Sequence, residues 1–538
     1  MPEPTRLDGL LVDPSRSVTF TFEGAPFSGL AGDTIASALA ANGQWMLSRS
    51  FKYRRPRGVF SMAGHDANTL VQLPDEPNVP ADLHPISDGL AVLGQNYEGS
   101  LARDRGAWLG RMGRFLPPGF YYKAFFRPRG AWRLWEPLIR RKAGLGRVDT
   151  NTRHKERDKA YAFAATVVIG GGPAGMAAAL RAAVRGGEVI LVDDHPVLGG
   201  ALVFARFDVA GTRGRGLRED LVAQVKAAPT IEVWTNATCH SLYDDNWLAV
   251  VKQGRLVKLR AGNVVVATGA IELPVVFRNG DLPGVMLCSA AQRLLRLYGV
   301  RPGGRAVVAT ANEHGYGAAL DLAEAGVAVA AVCDLRAAPP DGELRRAVRD
   351  LGVTIHDGHT VWEAAGSGHV EGVVIAPITG EGQCGRPIAS VACDLVCLGA
   401  GYTPNAALLH HAGARFRYDE RVATHFLEAA PINVEACGSV AACFDLDGAL
   451  TGDNRRPDDG LSHPWPMFAH PKGMEFVDLD EDLTITDIEA TAAEGYDHIQ
   501  LLKRFSTTGM GPSQGRLSNV AAIRLVARAT GRTPDAVG

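Results

Sequence analysis

Three glycines and one aspartate stand at a spacing that can hold phosphate groups and a sugar. Gly170, Gly172 and Gly175 form G-x-G-x-x-G, and Asp193 follows about twenty residues later. The first glycine permits a tight turn, the second lets a pyrophosphate approach the backbone, and the third lets a helix pack closely on a strand. The pattern does not separate FAD from NAD. The predicted dinucleotide contacts are Gly170, Gly172, Pro173, Ala174, Gly175 and Asp193.

The elements around these residues are the ones that the site needs. The apolar run 167–169 predicts a buried strand, the alanine-rich run 176–184 predicts a helix, and 189–192 predicts a second strand that ends at Asp193. A helix that begins at the glycine turn offers free N–H groups and a positive dipole end to phosphates. The motif therefore stands in the strand, turn, helix and strand context that makes it specific.

A second strand, turn, helix and strand unit begins at Ala306 and reaches Asp334. Its turn has Thr310 and Asn312 where the first two glycines would stand. Their side chains would obstruct a pyrophosphate. We therefore predict a second Rossmann domain that has lost its nucleotide.

Later segments return the chain to the first nucleotide-binding domain. The apolar strand 263–267 ends in Thr268 and Gly269, residues 394–405 lead back, and Gly438 precedes a helix near Gly448. In this architecture that helix faces the flavin or nicotinamide half of the dinucleotide. The fold class is thus predicted as α/β with two dinucleotide-binding domains, and Gly200, Thr268, Gly269 and Gly438 join the predicted site.

Composition excludes several kinds of partner. The chain has 538 residues, a formal net charge of −2 and 21% charged residues. Several domains are expected at this length, and neither nucleic acid nor a membrane is an expected partner. MPEPTRLDGLL is no signal peptide, so a cytoplasmic protein is expected. The eight cysteines begin at Cys239 and form no C-x-x-C, so we expect no iron–sulfur cluster on this chain. No metal site is predicted.

Two basic stretches leave alternatives open. Residues 49–58 carry five basic residues, which suit either a solvated loop or a loop that contacts an anion or a flavin phosphate at an interface. Residues 121–135 mix aromatic with basic side chains, and packing against another domain or subunit is favoured over nucleic-acid stacking.

The last 60 or so residues are predicted to be helical, with Thr484 or Thr486 capping a helix. Lys503, Arg504, Thr507 and Thr508 stand before a Gly-Met-Gly turn. They could hold a phosphate, or Gly509 could simply end a helix beside solvated cations. The residues alone do not decide between these two interpretations.

With these residues in view, the chain resembles the α subunit of heterotetrameric sarcosine oxidase. The similar blocks cover nearly all of the chain, and a wider group with opine dehydrogenase and hydrogen cyanide synthase subunits shares the architecture. The quoted blocks are GDTIASALAANG, RSFKYRRPRGVF, VVIGGGPAGMAAA, VVVATGAIELPVVFRNGDLPGVML, AVVATANEHGYGAALDLAEAG, FVDLDEDLTITDI and KRFSTTGMGPSQGRLSN.

The resemblance implies an organisation with a ferredoxin-like β-grasp domain at the N-terminus and a small helical domain at the C-terminus. The implied ranges are a β-grasp domain without a cluster at 1–100, a connector at 101–160, the first dinucleotide domain at 161–275 and 394–455, the second, degenerate Rossmann domain at 276–393, and the helical domain at 456–538.

Two departures from the wider group are visible. Opine-type relatives hold an iron–sulfur cluster on cysteines where this chain has Asp478, Asp480, Ser513 and Ser518. The sarcosine oxidase type shares that loss, and the helical domain is expected to be free of a cluster. That family usually continues into a folate-binding domain, and this chain stops at 538, so folate binding is not expected here.

The resemblance also implies cofactors and partners. Amine oxidation would occur on the FAD of a β-type amine oxidase subunit, an FMN would lie at the interface, and this chain would hold NAD without catalysis; small γ and δ subunits are further candidates. No catalytic residue is implied on this chain. The implied dinucleotide contacts further include Asp194, His195, Cys239, Ala441 and Leu446, and the implied flavin contacts are Lys503, Arg504, Thr507, Thr508 and Gly509.

Three hypotheses follow. The chain is an α-type subunit of a secondary-amine oxidase or dehydrogenase acting on sarcosine, another N-methyl amino acid or an opine. Alternatively, it is a self-contained FAD enzyme that oxidises NAD(P)H, which the degenerate second site and the lack of C-x-x-C disfavour. In the third hypothesis it is a scaffold that binds a nucleotide only for stability.

Overall fold

The chain alternates between two structural units. A computed structural model describes residues 6–108, 110, 116–125, 127–143, 146–152, 157–454 and 461–538. Unit 1 contains Met1–Thr152, Leu273–Ala400 and Trp465–Gly538, and unit 2 contains Arg153–Glu272 and Gly401–Pro464. The six finer domain ranges given above remain predictions.

The first part of unit 1 starts with an antiparallel hairpin. Val18, Phe20 and Phe22 alternate with exposed or half-buried neighbours, which gives the first strand one buried face. The following helix begins after Thr34, which is its N-cap, and Ser37 completes a capping box. The elements are β1 (Asp13–Phe22), β2 (Ala25–Ala31), α1 (Ile35–Ala41), β3 (Met46–Arg49), β4 (Pro56–Gly58), β5 (Leu70–Val71), β6 (Val79–Pro80), β7 (Ala91–Val92), α2 (Phe120–Ala124) and α3 (Trp132–Ala143). Of the aromatic and basic stretch 121–135, Phe126 lies outside the described residues.

Unit 2 opens with the predicted strand, turn, helix and strand. The last three residues of its first strand are buried on both faces, since Val167 and Ile169 enter one hydrophobic cluster and Val168 enters another. Residues 231–243 form two strands, because Asn236 has a φ of 49° and turns the chain. The elements are β8 (Lys159–Ile169), α4 (Pro173–Arg185), β9 (Val189–Val192), α5 (Arg213–Ala227), β10 (Ile231–Trp234), β11 (Ala237–Tyr243), β12 (Trp247–Lys252), β13 (Arg255–Val266) and β14 (Ala270–Leu273).

The second βαβ fold belongs to unit 1. Its five-stranded parallel sheet has the order β15-β23-β16-β17-β18, and a smaller antiparallel sheet follows it. The elements are β15 (Val285–Leu287), α6 (Cys288–Tyr298), β16 (Arg305–Thr310), α7 (Glu313–Glu324), β17 (Ala328–Asp334), α8 (Glu343–Asp350), β18 (Thr354–Asp357), β19 (His359–Gly366), β20 (Val370–Gly380), β21 (Gln383–Cys384), β22 (Ala389–Ala392) and β23 (Leu395–Gly399).

The chain then returns to unit 2 and completes its sheet. The order is β10-β9-β8-β13-β12-β11, and the late strand β27 pairs in parallel with β13. Parallel strands therefore bring the end of β8 and the end of β27 to the same edge, where ligands of such sheets bind. The elements are β24 (Gly401–Pro404), α9 (Ala407–His411), β25 (Arg415–Asp419), β26 (Thr424–Ala429), β27 (Val434–Ala436) and α10 (Leu446–Thr451).

The C-terminal part of unit 1 is helical around an apolar centre. Ile488, Leu502 and Leu525 are fully buried in it, and Thr484 caps the first helix with Asp487 in a capping box, as predicted. The elements are β28 (Phe476–Asp478), β29 (Leu483–Thr484), α11 (Ile485–Ala493), α12 (Ile499–Ser506), α13 (Asn519–Thr530) and α14 (Pro534–Val537). Within the described ranges, no helix combines the length and apolar character that crossing a membrane requires.

Candidate dinucleotide and flavin sites

The three glycines after β8 do different structural work. Gly170 has a φ of 108°, and a Cβ built on it would lie 2.2 Å from the carbonyl oxygen of Ala267. A Cβ on Gly175 would lie 1.8 Å from the carbonyl oxygen of Gly170, so neither position accepts a side chain. A Cβ on Gly172, by contrast, meets nothing closer than the Cα of Gly200, at 3.8 Å. The space beside Gly172 is therefore open, as a pyrophosphate cradle requires.

The N-terminus of α4 is available to an anion. Gly172 is its N-cap and Pro173 its first residue, and no side chain caps this end among the described residues. Proline is suited to the first helical position because the missing N–H has no intrahelical partner there. The remaining N–H groups and the helix dipole point at the open space.

Asp193, the predicted ribose acceptor, also braces the turn. Its Oδ2 accepts a hydrogen bond from the backbone N–H of Gly171, and its Oδ1 accepts one from the N–H of His195 at 2.8 Å. Only 8% of the residue is exposed. Each oxygen retains acceptor capacity, so Asp193 fits the predicted role while fixing the distance between β9 and the glycine turn.

Asp194 and His195 lie at the exposed side of this corner. The Nδ1 of His195 is 2.7 Å from the Oδ1 of Asp194 and 3.6 Å from the Oδ1 of Asp193. Hydrogen bonds to Asp193 and Asp194 raise the pKa of His195 to about 9, which makes the imidazole a cation at neutral pH. One ligand atom from each of the three groups lies within 4.8 Å of the others, close enough to hold a metal ion.

Other predicted residues meet the same turn. Gly199 donates to the carbonyl of Gly171 at 2.9 Å, which places the neighbouring Gly200 over the glycine turn. Gly438 has a φ of 73°, and a Cβ on it would lie 2.6 Å from the Cβ of Ala174. Ala441 is buried just beyond it, and Leu446 begins α10, which packs against the same hydrophobic cluster as α4.

The predicted residues Thr268 and Gly269 are hydrogen-bonded to Asn405, a residue that was not among the predicted site residues. The Oγ1 of Thr268 donates to the carbonyl of Asn405 at 2.7 Å, and the N–H of Asn405 donates to Gly269 at 3.0 Å. Asn405 thus secures this turn, and its place at the end of the return segment 394–405 was the available signal. Cys239 is half-buried on β11, and burial raises the pKa of its thiol to about 12, which excludes a nucleophilic role at neutral pH.

The second βαβ fold fills its own nucleotide position. The side chain of Asn312 caps α7 by accepting the N–H of His314 at 3.1 Å. Asp334, which corresponds to Asp193, accepts from the hydroxyl of Tyr316 at 2.7 Å and from two nitrogens of Arg336 at 3.0 and 2.7 Å. Protein groups therefore contact both the turn and the acidic residue of the second fold.

The basic loop 49–58 differs from both interpretations of it. Arg57 is 1% exposed and binds Asp281 and Asp482, while Arg55 forms a bidentate pair with Asp281 at 2.6 and 2.8 Å. Arg54 is buried against Asp104. These guanidiniums are neither solvated nor open to an external anion, because carboxylates distant in sequence already neutralise them.

The predicted flavin contacts divide into two groups. Thr508 is buried, and the N–H of Gly509 donates to the Oδ2 of Asp478 at 2.8 Å. Lys503 is half-buried and Arg504 exposed near the end of α12. The helix ends at Thr507, with a φ of 66°, rather than at Gly509, so the alternative with Gly509 as the helix cap is wrong. Only Lys503, Arg504 and Thr507 remain near the surface.

The four positions Asp478, Asp480, Ser513 and Ser518, which were expected to leave the helical domain without a cluster, converge. The Oδ2 of Asp478 accepts from the hydroxyl of Ser518 at 2.9 Å, and the Oδ2 of Asp480 accepts from the N–H of Ser513 at 2.7 Å. Asp478 Oδ1 also accepts from the N–H of Asp480. The loop after β28 and the Gly-Met-Gly loop are thus joined by carboxylates and hydroxyls.

Buried carboxylates around this junction predict an unusual dependence of stability on pH. Burial, with help from Asp82, raises the pKa of Asp66 to about 7. Burial also raises the pKa of Asp480 to about 6 and that of Glu481 to about 7. The ordinary values are 3.8 and 4.5, so the folded chain binds more protons between those values and 7. Stability from these groups is complete at low pH and is lost as the pH rises through the folded-state values.

We therefore expect the midpoint temperature of thermal unfolding to decrease as the pH is raised from 5 to 8. The measurement is thermal unfolding at several pH values in that range. Asp480→Asn should make the midpoint depend less steeply on pH, and Asp350→Asn, at an exposed position, should leave this dependence unchanged. A midpoint that rises with pH in wild type would contradict this expectation.

Comparison with known proteins places these sites in context. Residues 164–470 match the family model described as pyridine nucleotide-disulphide oxidoreductase, and residues 472–538 match the sarcosine oxidase A3 domain. The chain is 35% identical to sarcosine oxidase subunit alpha of Rhizobium meliloti (strain 1021), over 98% of this chain and 56% of that protein. For the same subunit of Corynebacterium sp. (strain P-1) the identity is 27% over 98% of this chain and 55% of that protein. The resemblance inferred from the motifs is confirmed, and the chain spans about half the length of these curated relatives.

A solved structure supports the fold over the whole chain. The crystal structure of L-proline dehydrogenase from P. horikoshii matches with a TM-score of 0.69 and 17% identity, covering 98% of this chain and 95% of that one. At this identity the match concerns the fold. Together with the family match, it confirms the nucleotide-binding α/β architecture in its coarse form.

One expectation is wrong. Residues 15–97 match the 2Fe-2S iron-sulfur cluster binding domain, which contradicts the expectation that this chain has no iron–sulfur cluster. The expectation rested on cysteines alone, whereas the match reflects the pattern of the whole domain. Residues 15–97 contain no cysteine, so their own side chains do not fit a cluster held by four thiolates.

Proposed function

The chain belongs to the pyridine nucleotide-disulphide oxidoreductase family, and on that premise we propose that it is the α-type subunit of a multimeric flavin-dependent oxidase or dehydrogenase of secondary amines. The substrate would be sarcosine, another N-methyl amino acid or an opine. Its oxidation would take place on the FAD of a β-type partner subunit. The observation that carries this proposal is the 35% identity to a sarcosine oxidase α subunit across 98% of the chain.

We propose that the glycine turn after β8 holds NAD. The open space at Gly172 and the uncapped N-terminus of α4 suit a pyrophosphate, and Asp193 suits the adenosine ribose. Asp194 and the cation His195 lie beside Asp193 at the same corner. A nucleotide bound here contributes binding energy to the folded state, about 2.7 kcal/mol at a hundredfold excess over its dissociation constant.

The self-contained flavoenzyme is the weaker alternative. Such an enzyme needs a second nucleotide. In the second βαβ fold, however, Asn312 caps the helix and Arg336 binds the acidic residue Asp334. The first test is to purify this chain alone, denature it and identify the released nucleotide by mass spectrometry. NAD without flavin supports the α-subunit proposal; stoichiometric FAD together with NADH turnover would overturn it.

We propose that Lys503 and Arg504, with Thr507, contact the phosphate of an interface FMN. Two cations near the end of α12 offer charge-assisted hydrogen bonds to an anion. The hydroxyl of Thr507 donates to the Oε2 of Glu481 at 2.9 Å, so it retains acceptor capacity only. The two cations therefore carry this site.

Replacing Lys503 and Arg504 with alanine is expected to lower the FMN content of the assembled complex and to leave the NAD content unchanged. Each lost charged hydrogen bond corresponds to about 1.5–3 kcal/mol. The measurement is the ratio of FMN to NAD released from purified complex. Arg346→Ala together with Arg349→Ala, on a different helix of the same unit, serves as the matched control. Full FMN content in the double variant would refute the assignment.

A further inference from the structure

Large apolar side chains are exposed along one segment of unit 1. Leu134 is 81% exposed, and three further large apolar residues of α3 are at least 40% exposed. Isolated exposed leucines are ordinary, but clustered exposed tryptophans and leucines mark interaction sites. We call this set the α3 surface. It consists of Trp132, Leu134, Trp135 and Leu138.

The α3 surface has a strongly basic surrounding. Residues 119–141 carry six cations and one acid, whereas the whole chain has a formal net charge of −2. Leu134 and Leu138 stand one helical turn apart, while Arg133 and Arg140 lie toward the other side of the helix. Such a helix combines an apolar stripe with a cationic rim. The cations are Lys123, Arg127, Arg129, Arg133, Arg140 and Arg141, and the acid is Glu136.

The segment is fixed beside the proposed flavin contacts. The Nζ of Lys123 on α2 lies 2.5 Å from the Oε1 of Glu494 and 5.8 Å from the ring centre of Phe505. Phe505 is on α12, directly after Lys503 and Arg504, and stacks on Tyr496 with ring centres 3.9 Å apart. A Cβ on Gly119, at the start of α2, would meet that Phe505 ring at 2.4 Å.

The two helices also contact each other. The ring centres of Phe125 and Trp135 are 5.0 Å apart in an edge-to-face arrangement. The position of α3 therefore follows from that of α2, and through α2 from that of α12. Contacts through α2 therefore connect α3 to α12, the helix that carries Lys503 and Arg504.

We propose that α3 is the docking helix for the FAD-bearing partner subunit, inserting Leu134 and Leu138 into an apolar groove with an acidic rim. This inference rests on the proposed function and deepens it. Amphipathic helices bind such grooves through residues spaced by one turn. Charge complementarity then requires carboxylates around the groove, opposite the exposed guanidiniums of Arg133 and Arg141. The connection through α2 to Lys503 and Arg504 favours the partner over a lipid surface, because the same contact would enclose the interface flavin.

The test is to co-express a tagged copy of this chain with the FAD-bearing amine oxidase chain and to measure the dissociation constant of the purified complex. Leu134→Glu is expected to weaken association by at least about tenfold, as loss of a buried anchor residue does. Leu351→Glu is the matched control, since Leu351 is also an exposed leucine at a helix and lies away from α3. The NAD content of both variants should equal that of wild type.

Further results separate the possible occupants. An acidic rim is supported if wild type associates more weakly at high salt and if this salt dependence is lost in the variant with both Arg140→Glu and Arg141→Glu. Unchanged affinity of Leu134→Glu for the partner overturns the docking proposal while leaving the proposed function standing. If the wild-type chain does not assemble with that partner at all, both proposals fail. If Leu134→Glu assembles normally with the partner but no longer binds phosphatidylglycerol vesicles, the occupant is a lipid surface. If wild type forms a dimer that Leu134→Glu does not form, the occupant is a second copy of this chain. Either result overturns the proposal.

Discussion

The Gly172→Val chain is expected to fold normally and to retain no dinucleotide. The valine side chain would extend into the space that is open in wild type, where the pyrophosphate must lie against the backbone. The fold has no steric reason to change, because the nearest atom to the new Cβ is the Cα of Gly200 at 3.8 Å. Nucleotide release on denaturation, followed by mass spectrometry, measures the loss.

The thermal shift on adding nucleotide gives a second measure of the same variant. Wild type should gain about 2.7 kcal/mol at a hundredfold excess of NAD over its dissociation constant, and Gly172→Val should gain nothing. Gly216→Val is the matched control, because Gly216 lies in α5 of the same unit and a Cβ there meets nothing within 4 Å. Undiminished nucleotide content in Gly172→Val would exclude this turn as the binding site.

The second large effect concerns the carboxylate of Asp281, which neutralises two arginines in the interior of unit 1. Replacing it with alanine leaves Arg57, which is 1% exposed, and Arg55 without this partner. Removing one member of a buried ion pair costs about 3–5 kcal/mol, since the remaining charge stays desolvated. The pKa of Asp281 is lowered because the attraction of Arg55 and Arg57 outweighs its burial, so this contribution is present at neutral pH.

Urea unfolding of Asp281→Ala should therefore show a much lower midpoint than wild type. Asp341→Ala provides the comparison, because Asp341 pairs with Arg349 at 3.2 Å but both side chains are more than half exposed. Exposed pairs contribute about 0–1 kcal/mol. Equal midpoints for the two variants would show that the buried network contributes no more than a surface pair.

Local pattern was enough where the physics is local. The glycine spacing identified the turn before α4 because each glycine is required by contacts within that turn. Thr484 was one of two predicted caps, and it was open to prediction because an N-cap hydroxyl and its partner are three residues apart. The structure places Thr310 and Asn312 in the turn of the second fold, where the sequence predicted them, and the loss of nucleotide there stays a prediction.

Where partners are distant in sequence, the pattern misled. The basic run 49–58 suggested solvent or a ligand, but the carboxylates that bind it are Asp104, Asp281 and Asp482. Nothing in a ten-residue window reveals an acid more than two hundred positions away. The expectation of no iron–sulfur cluster was wrong for a related reason. It considered only the cysteines, whereas the match to the 2Fe-2S domain depends on the sequence pattern of residues 15–97 as a whole.

The contacts within the second βαβ fold determine how a nucleotide site could be engineered there. Restoring glycines at Thr310 and Asn312 would clear the turn, but Asp334 would remain held by Tyr316 and Arg336. A designer who wants an additional redox nucleotide must therefore rewrite the turn and the ribose corner together. Single replacements would only open a void in the protein interior, where lost contacts cost stability without yielding a ligand. The module is better treated as a rigid building block than as a dormant receptor.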